Sequence, residues 1–136
     1  MKLDLSGTEL TQPLTDDLIV KSLESLGAND DSFLILSKDE MHYMQTVRLS
    51  DGTYVLEYRA GSDDSHFECV DAMLSLQKIS AAFLSYFHEK DDWKTSLHWE
   101  PLGASQEKSG AGRPTLLIVF VIAIALVASI FFMLSV

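Results

Sequence analysis

Residues 115–135, TLLIVFVIAIALVASIFFMLS, run without a charge, a proline or a glycine. As a helix at about 1.5 Å per residue they reach about 31 Å, which matches a hydrocarbon core of about 30 Å. A helix buried inside a soluble domain keeps polar positions on one side, and this stretch is apolar all round. The expectation is a single transmembrane helix over 115–135. Lys108 and Arg113 precede it and no charge follows. The positive-inside rule then puts the N-terminal part on the cytoplasmic side of the cytoplasmic membrane. The first residues lack an apolar leader and carry acids early, so the expected topology is single-pass and tail-anchored. Ala125 and Ser129 form a small-xxx-small pair, the candidate span–span contact for a homodimer.

Every charged residue lies at or before Arg113, and the chain carries 10 Lys+Arg against 20 Asp+Glu, a net charge of −10. Phosphate contacts need clustered cations, so nucleic acid is excluded as a partner. The charge fits a basic protein partner, or solubility alone. One cysteine, Cys69, allows no intrachain disulfide. Residues 103–114, GASQEKSGAGRP, read as a flexible linker, leaving 1–102 as an acidic soluble domain.

Within that domain, Thr15 caps a helix that presents Ile19, Ser22, Leu23 and Leu26 on one stripe. SFLILS is a short buried strand. The segments 41–49 and 53–60 flank Asp51-Gly52, the strongest short hairpin signal. A two-residue loop sets Leu49 opposite Tyr54, Val47 opposite Leu56 and Gln45 opposite Tyr58 on the core face. The other, wetter face then holds Arg48, Thr46 and Met44 opposite Val55, Glu57 and Arg59. SHFECV is a fourth strand. A second helix carries Leu76, Ile79, Phe83, Tyr86 and Phe87 on one face and ends at Asp91-Asp92. Residues 93–102 fold back as a lid or short strand. The expected fold class is α+β: a four-stranded antiparallel sheet in the order α-β-β-β-β-α, with helices packed on one face, followed by the transmembrane helix.

No pattern here carries catalysis or holds a cofactor. His66-x-x-Cys69 has a metal-ligand spacing, but zinc needs four ligands and no second cysteine exists. On a strand, residues three apart also face opposite ways. Cys69 lacks a flanking base and reads as a buried structural thiol. Gln45 on an apolar face must find a partner, most simply Tyr58. The acid pairs lack the alternate oxygen spacing of a Ca²⁺ loop. Arg48, Glu57, Arg59, Asp63, Asp64, Asp91 and Asp92 are the candidate protein-contact residues, with Arg48 and Glu57 as an exposed diagonal pair. Trp93 and Trp99 close the core or touch the lipid interface.

The capped first helix, SFLIL, HYMQ, TYVLEYR, AAFLSYF and the closing W…WEPL resemble a family of small, uncharacterised bacterial α+β domains. These are sometimes grouped with immunity proteins of polymorphic toxin systems. The resemblance covers about residues 12–102. It implies a bacterial origin and a non-enzymatic, immunity-like binding role. The leading expectation is therefore a protein-binding module held at the membrane. An accessory subunit acting through its span is the alternative, and an enzyme with an unrecognised site is the third.

Overall fold

The computed structural model describes residues 1–28 and 32–102. Its elements are β1 (Lys2–Leu5), β2 (Thr8–Glu9), α1 (Asp16–Glu24), β3 (Phe33–Asp39), β4 (His42–Arg48), β5 (Tyr54–Ala60), β6 (His66–Cys69), α2 (Leu76–Phe87), α3 (Asp92–Ser96) and β7 (Trp99–Pro101). The strands form one sheet in the order β2-β1-β3-β4-β5-β6-β7, antiparallel at every pairing. The expected four-stranded sheet is thus corrected to seven strands with three helices.

The expected linker 103–114 and transmembrane helix 115–135, with Ala125 and Ser129, lie outside the described residues. Among the described residues no helix is long and apolar enough to cross a membrane. The single-pass, tail-anchored part of the expected architecture therefore has no counterpart among the described elements.

The helices form where capping and periodicity agree. The Thr15 hydroxyl accepts the Leu18 N–H at 3.1 Å and the Ser75 hydroxyl accepts that of Lys78 at 3.3 Å. Ile19 and Leu23 of α1 and Ile79, Ala82, Phe83 and Tyr86 of α2 are buried. They join Leu3, Leu34, Leu36, Met44 and Leu56 from the sheet in one core. Trp93 and Leu97 of the α3 segment close it, so core closure is the role that Trp93 takes. The second helix ends at Phe87, short of Asp91-Asp92, and Asp92 instead opens α3.

The opposite sheet face holds a smaller apolar cluster, Phe33 and Val47 with Ile35, Leu49 and Val55, to which the described helices contribute nothing. The faces differ from the expected ones by one register step. Leu49 N–H donates to the Thr53 carbonyl at 2.8 Å and Gly52 N–H to the Leu49 carbonyl at 2.9 Å. Gly52 has φ +84°, so Ser50-Asp51-Gly52 is a three-residue loop whose last residue takes the left-handed conformation. Arg48 therefore pairs with Tyr54, Thr46 with Leu56, Met44 with Tyr58 and Gln45 with Glu57. A slip of one residue turns every side chain of a strand to the other face. Tyr54, Leu56 and Tyr58 face the helices as expected. Tyr43, Gln45 and Val47 do not, and Met44 takes their place in the main core.

Candidate functional site

Antiparallel alternation brings the end of β3, the start of β4, the end of β5 and the start of β6 to one end of the sheet. A 2.9 Å contact from Lys38 Nζ to Glu89 Oε1 adds the α2–α3 connection. Exposed Asp39, Glu40, Asp63 and Asp64 thus gather with exposed Glu89, Asp91 and Asp92. Of the candidate contact residues, Arg59, Asp63, Asp64, Asp91 and Asp92 meet here. Arg48 lies at the other end, where its Nη1 donates to the Leu26 carbonyl at 3.2 Å.

The basic residues at the acidic end are largely matched. Lys38 pairs with Glu89, Lys94 Nζ with Asp91 Oδ1 at 2.7 Å, and Arg59 Nη1 with Asp63 Oδ1 at 3.3 Å. A hydrogen bond from Lys38 holds the Glu89 carboxyl below its ordinary range, and one from His42 does the same for Asp39. Glu40, Asp64 and Asp92 make no ion pair among the described residues, so negative charge is in surplus. Between these groups lies an open groove with Tyr58, Tyr86 and Trp93 in its lining. Glu89 was readable beside Asp91-Asp92 as part of an acidic cluster, but Lys38 and Tyr86 escaped the sequence reading as site residues, because no local pattern links β3 to the α2–α3 connection.

The face without described helices carries a buried polar network. Glu57 is 0 % exposed, and its Oε2 accepts from Gln45 Nε2 at 2.6 Å and lies 3.1 Å from His66 Nε2. Arg59 Nη2 approaches His66 Nδ1 at 3.4 Å. A guanidinium can only donate, so Nδ1 accepts and Nε2–H donates to Glu57. Arg59 also lies over the Tyr43 ring, 5.6 Å from its centroid, while Tyr43 meets His66 edge-on. Glu57 Oε1 is buried without a partner among the described residues. Cross-strand pairing sets Glu57 beside Glu68 and Glu68 beside Glu100.

Glu57 is therefore not half of an exposed diagonal pair with Arg48. The two lie on opposite faces, and Gln45 bonds Glu57 rather than Tyr58. Both corrections follow from the hairpin register. His66 and Cys69 also point to opposite faces, Cys69 into the helix-covered core and His66 into the polar network. No group of metal-ligating side chains that could hold an ion occurs among the described residues.

Burial pushes the Cys69 thiol above its ordinary pKa. A disulfide reagent at neutral pH should therefore modify Cys69 only as fast as the protein unfolds, and rapid labelling of the native chain would contradict its placement. The sign for stability follows from the same shift. The contribution of keeping this thiol neutral is complete below the free-thiol pKa of about 8.5, and it fades as pH rises through the higher folded value.

Comparison of the chain with protein-family models, with curated proteins and with solved structures finds no match.

Proposed function

We propose that the described domain is a protein-binding module that takes a basic partner at the acidic end of its sheet. The observation that carries this reading is the convergence of seven exposed carboxylates from three connections, in surplus over the cations among them. The reading is of binding rather than catalysis: the buried Glu57–His66 pair resembles the orienting part of a catalytic group, but Cys69 sits on the other side of the sheet. An immunity-like role, masking a basic toxin domain, is the most specific form of this function. The module's place in this reading is the cytoplasmic side of the cytoplasmic membrane, a location supported by the positions of Lys108 and Arg113 in the sequence.

The test offers the full chain a basic and an acidic carrier protein at rising salt. Binding of the basic carrier alone, weakening as salt screens the exposed charges, is the expected result. Asp63→Asn, Asp64→Asn, Asp91→Asn and Asp92→Asn together should weaken it about tenfold, from four exposed charge contacts of about 0.3–0.5 kcal/mol each. An affinity unchanged by these four substitutions would sink the assignment to this end.

A further inference from the structure

The groove at the acidic end already displays two cations over aromatic rings. Lys38 Nζ lies 5.4 Å from the Tyr86 ring centroid and 2.9 Å from the Glu89 carboxylate. Lys94 Nζ lies 5.3 Å from the Trp93 centroid and 2.7 Å from the Asp91 carboxylate. The two arrangements repeat one chemistry: an ammonium group held between a ring face and a carboxylate. The rings themselves are fixed. Tyr86 and Trp93 are buried, they meet at 5.8 Å, and Tyr58 braces Trp93 edge-on at 4.7 Å. The lysines reach solvent, with side chains 37 % and 50 % exposed. Buried rings under solvent-accessible lysines describe a surface at which the cation over each ring can be exchanged.

We propose that this groove receives arginine side chains of a basic partner, and that Lys38 and Lys94 are resident competitors for the same places. The inference rests on the reading of the domain as a binder of a basic protein, and it names the side chain and the seat. A guanidinium suits the seat better than an ammonium. It stacks flat on a ring and is more weakly hydrated, and it bonds a carboxylate through two parallel N–H groups. Glu89 and Asp91 stand at the exposed rim of the groove, where an incoming fork can reach them. Displaced lysines swing into solvent, where an ammonium is well hydrated.

Competition makes a prediction opposite to that of an anion-binding groove. Lys38→Met and Lys94→Met remove the resident cations but keep their apolar stems. The measurement is the affinity of the full chain for a dye-labelled oligo-arginine peptide, with an oligo-glutamate peptide as comparison. The expected result is a gain of about three- to tenfold in oligo-arginine affinity for the double variant. Glu89→Gln, which removes an exposed carboxylate, should lose affinity by about the same factor and serves as the second variant. Oligo-arginine binding that is indifferent to all three substitutions overturns the seat and leaves the basic-partner reading standing. A loss of oligo-arginine affinity in the Lys38→Met, Lys94→Met double variant, or oligo-glutamate binding by the unaltered chain that the double variant loses, shows a groove for anions and overturns the proposal. No oligo-arginine binding by any form overturns both readings.

Discussion

Phe83→Ala lowers the free energy of unfolding by about 4 kcal/mol, within the range of about 3–5 for a fully enclosed phenylalanine. Phe83 heads the fully buried side chains by volume and is 0 % exposed. It lies at the middle of the buried stripe of α2, facing the core that Leu3, Leu34, Leu36, Met44 and Leu56 form from the sheet. A helix of 12 residues is marginal on its own in water, so packing must hold α2 in place. The cavity left by the ring has strands on one side and helices on the other, and neither can close it without breaking its own hydrogen bonds. Urea denaturation followed by circular dichroism should show a lower midpoint at an unchanged slope, because the same surface is exposed on unfolding. Met73→Ala, at a side chain 80 % exposed, should change stability by less than about 0.5 kcal/mol. A Phe83→Ala loss below about 1 kcal/mol would mean that α2 does not rest on this sheet.

Helices α1 and α2 were legible because each carries a 3.6-residue stripe within a single window: Ile19 and Leu23 behind the Thr15 cap, and Ile79, Phe83 and Tyr86. Helix α3, five residues long and without a side-chain cap, was not, and it falls in the segment expected as a lid or short strand. Two of the described strands were not read at all, and a third, β7, only as one option for residues 93–102. β2 and β7 are 2 and 3 residues long, shorter than a recognisable alternation, and β1, KLDL, is at the lower limit of one. Leu3 and Leu5 become strand residues because β3 offers Leu36 and Leu34 opposite them. Ser6 and Gly7, with φ of 52° and 89°, turn the chain back tightly into β2. The hairpin failed more subtly. Asp51-Gly52 does mark the turn, but the glycine closes a three-residue loop instead of supplying half of a two-residue one. Nothing in β4 could arbitrate, since Tyr43 and Val47 on one face and Met44 on the other are all apolar. That ambiguity hid the Gln45–Glu57 pair. The site followed the same logic: Asp63-Asp64 and Asp91-Asp92 were readable as loop acids, whereas their meeting at one end is a property of the topology.

His66→Ala should destabilise the domain by about 3 kcal/mol, although the side chain removed is neither large nor apolar. Glu57 is 0 % exposed, and among the described residues its donors are Gln45 and His66, both on the same oxygen, Oε2. Without the imidazole the carboxylate keeps one neutral donor in a site that water does not reach, beside Glu68 on the neighbouring strand. Leaving a buried polar group without its partner typically costs about 1–3 kcal/mol, and more when that group is a carboxylate. The edge contact of Tyr43 with His66 disappears as well. Glu57→Leu in the same chain should then recover at least about 1 kcal/mol, because it removes the stranded carboxylate and fills its space. Comparing both single variants with the double isolates the coupling, expected at about 1.5–3 kcal/mol for groups in one hydrogen-bonded network. Losses that simply add would show that Glu57 and His66 act separately. The two residues would then be buried for their shapes, and the network would not be what fixes β5 against β6.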